Sequence, residues 1–222
     1  LAVKRLKAAG ALIAGTTVST EYALARTGPT TNPHDPARTP GASSQGSAAA
    51  VGAGLTDVAI GSQTIGSVIR PAAYCGCIGF KPTWNLCSLS GAMPLSLTLD
   101  HIGLIARDPM LVRRLLSVLS DNPVAPTPVG RLRQLRPWFS EMIDPAMFDA
   151  CTKTTSLLSS DYEQAGEIYL PESIASQEES LLEIILAAGM SRSHGRDLDH
   201  SADLMSEKVA ISPRQLLTGL SL

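Results

Sequence analysis

Two turns rich in glycine and serine, separated by one helix and one strand, constrain the fold of this chain more than any other feature. The first turn reads GASSQGSAAA (residues 41–50) and the second GSQTIGSVIRPAAYCGCIGFKPT (residues 61–83). A serine after glycine on such a turn can present its hydroxyl to a cleft, while neighbouring backbone N–H groups point at one spot. An acyl-transfer nucleophile and its oxyanion hole require this geometry.

The same composition also suits turns without chemistry, because glycine and serine are common in surface loops. A phosphate-binding loop is a further use, but the chain has no Gly-x-x-x-x-Gly-Lys followed by serine or threonine. The residues alone therefore leave a plain turn and a catalytic turn open.

The apolar pattern around the turns predicts an α/β fold. A helix is expected to end at Gly10, and ALIAG (11–15) predicts a short buried strand. A helix of small residues follows from near Ser44 or Ser47, and DVAIGSQT (57–64) predicts a strand. These elements describe a helix that leads into a sheet.

The second half of the chain carries two strong helix starts. Asp108 before Pro109, and Asp144 before Pro145, each provide an N-cap followed by proline at the first helical position. DNPVAPTPVG (121–130) predicts a linker between them, and EIYLP (167–171) predicts a strand. A leucine-rich helix from about Ser173 is expected to end at Gly189.

Composition excludes several classes of protein. With 222 residues, 44% of them hydrophobic, the chain has enough apolar material for one large domain or two small ones. A net charge of -2 without runs of like charge gives no footprint for nucleic acid as a direct partner. No apolar run is long enough to span a membrane and no secretory signal is evident, so we expect a cytoplasmic protein.

The cysteines predict neither a metal site nor a disulfide framework. Cys75 and Cys77 form one Cys-x-Cys pair, and no second pair or histidine at zinc-finger spacing accompanies them. They lie among aromatic and aliphatic residues, so we expect them to be buried as small apolar side chains.

Both turns, in this order and separation, resemble the amidase signature family. GPTTNPHDPARTPGASSQGSAAAV (28–51) is similar to its glycine- and serine-rich segment with the Asn-Pro lead-in, and PAAYCGCIGFKPT (71–83) is similar to its second signature block. LDHIGLIARD (99–108) and YLPES (169–173) also match, so the resemblance extends from the start to about Leu186.

The resemblance implies a single α/β domain with a mixed, largely parallel sheet covered by helices on both faces. Residues 1–222 would be an incomplete amidase signature domain, in which 1–120 form the core with both serine motifs and 130–222 a helical, peripheral part. The chain begins within a helix and without methionine, so we expect residues missing at its N-terminus and also at its C-terminus.

The resemblance also implies a Ser–cis-Ser–Lys triad that hydrolyses amides through an acyl-enzyme and needs neither cofactor nor metal. Ser67, which follows Gly66, would be the nucleophile, and Ser43 would be the cis-serine, with a cis Ala42–Ser43 peptide bond. The family's oxyanion positions correspond to the backbone N–H groups of Thr64, Ile65, Gly66 and Ser67.

Three residues depart from the family pattern. Ala42 stands where glycine is usual, and Arg70 lies one place later than in many members. Ile65 stands where glycine or alanine is common and adds a β-branched side chain at a crowded turn.

The family's lysine corresponds to a segment that would precede Leu1. Lys4 and Lys7 lie on an amphipathic helix, and Lys81 belongs to the structural GFKPT run. Lys153 and Lys208 are remote from both turns. We therefore expect residues 1–222 alone to lack the base and to be inactive.

Histidine offers no better alternative. His101 follows Asp100 and suggests a Ser-His-Asp triad, but adjacent residues of a strand point to opposite faces. His34, His194 and His200 fit no ligand spacing.

The sequence thus predicts an amidase that cleaves a carbon–nitrogen amide bond to an acid and ammonia or an amine. The alternatives are a transamidase subunit like the catalytic chain of the glutamyl-tRNA amidotransferase, and a noncatalytic amidase-like remnant. The wording SVIRPAA favours the stand-alone amidase. The expected partner is a small-molecule amide, and a homodimer is the assembly considered.

Overall fold

The computed structural model describes residues 1–24, 28–122, 125, 130–136, 143–169, 171, 173, 178–200, 202–206 and 209. The helices are α1 (Ala2–Ala8), α2 (Gln45–Gly52), α3 (Ile69–Tyr74), α4 (Pro109–Leu119), α5 (Pro145–Asp161) and α6 (Glu178–His200). The strands are β1 (Val58–Gln63), β2 (Ile78–Phe80), β3 (His101–Ala106), β4 (Leu132–Arg136) and β5 (Gln164–Tyr169). Short 3-10 turns lie at Glu21–Ala23 and Ala202–Leu204.

The chain divides into two compact units. The first consists of Leu1–Val124 with Glu183–Leu222, and the second is Ala125–Leu182. Both turns identified in the sequence belong to the first unit. The assignment of all 222 residues to one domain stays a prediction.

The first unit is built on a three-stranded sheet with the order β1-β3-β2. The central β3 is antiparallel to both neighbours, so β1 and β2 run in the same direction. Residues 81–100 form a long loop that carries the chain back, which is why β3 enters the sheet reversed. The α/β class is confirmed, with parallel direction between β1 and β2 and antiparallel pairing through β3.

Helices cover both faces of this sheet, as expected. Ile102, Leu104 and Ala106 of β3 pack in one core with Leu6 of α1 and three residues of α4. On the opposite face, Ile105 packs with residues of α2 and α3. Alternate residues of β3 therefore join two separate cores, because strand side chains alternate between faces.

The predicted helix starts are confirmed. The Asp108 carboxylate accepts a 2.9 Å hydrogen bond from the backbone N–H of Leu111, and Asp144 accepts one of 2.9 Å from Ala146. Each acid satisfies a backbone donor at the first turn of its helix, where no intrahelical partner exists. Ser44 precedes α2, at one of the two predicted starts.

Two sequence predictions are wrong. Residues 11–15 form no strand, and the Leu12 side chain is 94% exposed, because an apolar run becomes a strand only beside a pairing partner. The leucine-rich helix does not end at Gly189 but continues to His200. A Cβ at Gly189 would lie 2.7 Å from the Cβ of Ser96, so this glycine allows close packing rather than a helix end.

The second unit is a β-α-β arrangement in which β4 pairs with β5 in parallel and α5 connects them. This confirms the strand predicted at EIYLP. Most of the predicted linker, Lys208, and Leu170 and Glu172 of YLPES lie outside the described residues. Within the described part of the chain, no helix has the length and apolar character needed to cross a membrane.

Candidate active site

The two turns meet at a cavity of about 420 Å³. Its lining includes both candidate serines and the whole of the candidate oxyanion turn, namely Ser43, Thr64, Ile65, Gly66 and Ser67. Ser67 is 8% exposed and Ser43 only 1%. The structure thus brings together all five residues that the sequence singled out.

Ser43 lies directly after a cis peptide bond between Ala42 and Ser43. Its backbone carbonyl accepts a 3.2 Å hydrogen bond from the N–H of Thr20. Its hydroxyl, in contrast, is buried and has no hydrogen-bond partner among the described residues. A buried hydroxyl without a structural hydrogen bond can pass a proton, because both its donor and its acceptor capacity are free.

Direct contacts fasten the two turns to each other. The N–H of Ser44 donates a 3.0 Å hydrogen bond to the carbonyl oxygen of Ser67. The Arg70 side chain donates to the carbonyl oxygen of Ala42. Gly41 adopts φ +81°, and a Cβ there would lie 2.7 Å from the Cα of Pro71, so glycine is required for this close approach.

The Gln63 side chain, which is 1% exposed, supports the turn that carries the nucleophile. Its Oε1 accepts hydrogen bonds from the N–H groups of Val68, at 2.8 Å, and Ile69, at 2.9 Å. Its Nε2 donates a 3.2 Å bond to the carbonyl oxygen of Ile65. One carboxamide therefore binds the backbone on both sides of Ser67.

Asp100 supports the same turn from another direction. Its Oδ1 accepts a 2.7 Å hydrogen bond from the Thr64 hydroxyl, and its Oδ2 accepts bonds of 2.8 Å and 3.0 Å from the N–H groups of Leu95 and Ser96. The carboxylate is buried, at 4% exposure of the residue. A buried carboxylate needs such donors, and here they connect the oxyanion turn to the loop at Leu95.

Ile65 is accommodated without crowding the turn. The residue is 51% exposed and lines the cavity, while its carbonyl oxygen binds Gln63. The N–H groups of Ile65, Gly66 and Ser67 donate to no other described residue. They remain available to an oxygen that enters the cavity.

The neighbouring His101 and Lys81 are engaged elsewhere. His101 Nδ1 lies 3.3 Å from the carbonyl oxygen of Gln63, and its Nε2 lies 3.2 Å from Lys81 Nζ. Lys81 also donates to the carbonyl oxygen of Pro82. Neither residue is among those that line the cavity, which agrees with the structural role expected for both.

The lead-in segment is fastened to the end of α3. Asn32 Nδ2 donates to the carbonyl oxygens of Tyr74, at 2.8 Å, and Thr39, at 3.2 Å, and its Oδ1 accepts from the N–H of His34. His34 Nε2 lies 2.9 Å from the carbonyl oxygen of Cys75. The Asn-Pro motif thus positions the loop that leads to Ser43.

The cysteines behave as buried apolar groups, as predicted for Cys75. Burial raises the pKa of the Cys75 and Cys87 thiols, and it raises that of Cys77 to about 11. All four cysteines are free. Among the described residues, no group of three histidine, cysteine or acidic side chains is arranged to hold a metal ion.

Gln63 and Asp100 are the residues whose contribution the sequence interpretation missed. Alternation along β1 offers a signal for Gln63, because it falls on the same face as Ala59 and Gly61, under α2 and α3. A long polar side chain at the buried end of a strand needs backbone partners, and the adjacent turn provides them.

The apolar side of the cavity includes Leu24, Leu95 and Leu186. The opposite side combines a buried hydroxyl nucleophile candidate, a second hydroxyl without a partner among the described residues, and backbone N–H groups on a braced turn. This combination suits attack on a carbonyl carbon with stabilisation of the oxyanion.

Comparison with known proteins agrees with this geometry. A family model described as Amidase matches residues 1–130. A subunit of the glutamyl-tRNA(Gln) amidotransferase of Methanospirillum hungatei is 37% identical over 200 residues, which cover 81% of this chain and 46% of that protein. The chain therefore spans about half the length of this curated relative.

Solved structures give the same result. A crystal structure described as an amidase superposes with a TM-score of 0.86 at 31% identity and covers 100% of this chain and 51% of its own. The peptide amidase of Stenotrophomonas maltophilia superposes with a TM-score of 0.73 at 26% identity, with 96% and 54% covered.

Proposed function

Because this chain belongs to the amidase signature family, we propose that it carries the serine pair of an amidase that cleaves carbon–nitrogen amide bonds. Ser67 attacks the carbonyl carbon of the amide. The products are a carboxylic acid and ammonia or an amine. No metal or cofactor takes part in this proposal.

The proposed reaction has two stages. Ser67 Oγ bonds to the carbonyl carbon and its proton passes through Ser43 to a base, while the N–H groups of Thr64, Ile65 and Gly66 stabilise the oxyanion. The proton then goes to the leaving nitrogen as the carbon–nitrogen bond breaks, which leaves an acyl-enzyme. Water, deprotonated by the same route, hydrolyses the ester and frees Ser67.

One observation carries the proposal. Ser67 and the Ser43 hydroxyl, which has no partner among the described residues, line one cavity together with the turn that offers free N–H groups. The cis Ala42–Ser43 bond also agrees with the expectation from the resemblance.

The base in this proposal is the family's neutral lysine, which the resemblance assigns to a segment before Leu1. A lysine must lose its proton to accept another, and burial near hydroxyl groups favours this neutral form. Residues 1–222 expressed alone would therefore show no turnover, while the product of the complete coding region would hydrolyse amides.

A fluorophosphonate probe tests the nucleophile. The complete protein should react at Ser67, as located by peptide mass spectrometry, and Ser67→Ala should abolish labelling. Ser90→Ala, an exposed serine outside this cavity, is the matched control and should label at the wild-type rate. Labelling that survives Ser67→Ala, or a folded protein that does not label, would reject this function and favour a noncatalytic amidase-like protein.

A second candidate is a transamidase subunit. The relative from Methanospirillum hungatei is named as a subunit of a glutamyl-tRNA(Gln) amidotransferase. Co-purification with a second subunit, and ammonia release that depends on glutamine, would favour this function. Turnover of simple amides by the isolated protein would favour the stand-alone amidase.

The remaining expectations are also proposals. We propose a small-molecule amide as the substrate, a cytoplasmic location and a homodimer as the assembly. Sedimentation of the complete protein would show the assembly, and cell fractionation the location.

A further inference from the structure

We propose that Gln63 is the positioning residue of the oxyanion turn, which fixes the N–H groups around Ser67 through its carboxamide. This inference rests on the proposed function, because it assumes that Ser67 is the nucleophile. It concerns a residue that does not touch the substrate and acts only through the backbone.

The geometry separates two sets of N–H groups. Those of Val68 and Ile69, just after the nucleophile, donate to Gln63 Oε1 at 2.8 Å and 2.9 Å. Those of Ile65, Gly66 and Ser67 donate to no other described residue. The carboxamide thus takes the donors on one side of Ser67 and leaves the cavity-side donors for an oxyanion.

The second half of the carboxamide sets the orientation of the turn. Nε2 donates to the Ile65 carbonyl oxygen at 3.2 Å, which holds that oxygen towards Gln63. In the same peptide unit, the N–H of Gly66 lies on the opposite side of the planar group from this oxygen. A hydrogen bond on the Ile65 carbonyl therefore also fixes the direction of the Gly66 N–H.

Both functions require an amide rather than an acid. Glutamate has the same length and keeps an acceptor for Val68 and Ile69, but its second oxygen would face the Ile65 carbonyl oxygen without a proton to share. Methionine has a similar length and removes all three hydrogen bonds. The two substitutions therefore separate loss of the donor from loss of the whole network.

The surroundings of Gln63 contain several charged or titratable groups. His101 Nδ1 lies 3.3 Å from the Gln63 carbonyl oxygen, and Lys81 contacts His101. Asp100 binds Thr64, and Arg70 lies on α3. These groups are the same in wild type and variants, so the ratio of variant to wild-type kcat at each pH cancels their titration.

The experiment measures kcat and KM of Q63E and Q63M in the complete protein, per active site titrated with the fluorophosphonate. We expect kcat to fall roughly tenfold to a hundredfold in both variants, with KM little changed. The ratio of Q63E to wild-type kcat should rise as pH falls, because a protonated carboxyl can donate to the Ile65 carbonyl oxygen. Q63M should show no such rise.

A purely structural role would change the number of active sites but not kcat per site. L115A serves as the control, because Leu115 is buried in the core on the opposite face of the sheet and should lower stability alone. If Q63M does not fold, the pH dependence of Q63E still decides. Wild-type kcat per site in Q63E at all pH values overturns the positioning role, whereas absent labelling of wild type rejects the proposed function instead.

Discussion

The guanidinium group of Arg70 donates to the carbonyl oxygen of Ala42, at 2.9 Å from Nη2 and 3.3 Å from Nε. Ala42 directly precedes the candidate relay serine, and Arg70 lies three residues after the candidate nucleophile. The contact therefore joins the two signature turns at their chemical ends. It also gives a physical reason for an arginine one position later than in many family members.

Arg70→Ala is expected to lower kcat about tenfold, because a small displacement of Ser43 relative to Ser67 disturbs proton transfer. The side chain is exposed, so the free energy of unfolding should fall by less than about 1 kcal/mol. Arg70→Lys should recover only part of the activity, since an ammonium cannot reproduce two donors in one plane. Steady-state kinetics and urea unfolding check this, with the exposed Arg113→Ala as control; equal kinetics in both alanine variants would contradict it.

Asp100→Asn is expected to lower the free energy of unfolding by about 1–3 kcal/mol. The buried carboxylate accepts three hydrogen bonds, and an asparagine N–H₂ group must face either the Thr64 hydroxyl or the N–H groups of Leu95 and Ser96. Thr64→Val removes only the first of these bonds. A double-mutant cycle of the two substitutions, followed by urea unfolding, should give a nonzero coupling energy; simple additivity would argue against the contact.

Two glycines of the same helix provide a matched pair. Gly189→Ala should destabilise the protein by about 1–3 kcal/mol, because its Cβ would lie 2.7 Å from Ser96. Gly195→Ala has no atom within 4 Å of the new Cβ and should stabilise α6 by about 0.5–1 kcal/mol. Thermal unfolding of both variants measures the difference, and shifts of the same sign would show that α6 does not pack closely on Ser96.

Cysteine labelling should follow burial. Cys151 is exposed, whereas burial raises the Cys77 pKa to about 11, so Cys77 carries almost no thiolate at pH 8. Iodoacetamide at pH 8 should modify Cys151 first, and labelling of Cys77 should increase as pH rises towards its pKa. Mass spectrometry of the native protein, with a urea-unfolded sample as reference, gives the order; fast labelling of Cys77 at pH 8 would refute it.

Local signals in the sequence predict the elements that depend on neighbouring residues. Asp108 and Asp144 begin their helices as predicted, because an N-cap and a proline act within one turn of the chain. The fate of ALIAG and Gly189 depended instead on contacts with distant residues, namely a pairing strand and Ser96. Such contacts leave no mark on the local pattern.

The candidate site divides in the same way. The resemblance points to Ser43 and Ser67 and to the turn at Thr64–Gly66, and the cavity contains all of them. The contribution of Gln63 escaped because its partners are backbone groups, which have no residue type to recognise. Asp100 was considered only as a partner for His101, although its carboxylate binds Thr64.

The insertion of β3 between β1 and β2 has a consequence for how this protein is synthesised. A ribosome releases the chain from the N-terminus, so β1, the nucleophile turn and β2 emerge about twenty residues before the strand that pairs with both. Until then, the facing edges of β1 and β2 have no hydrogen-bonding partner and can pair with other nascent chains. Translation speed over residues 81–106 should therefore influence the yield of native protein.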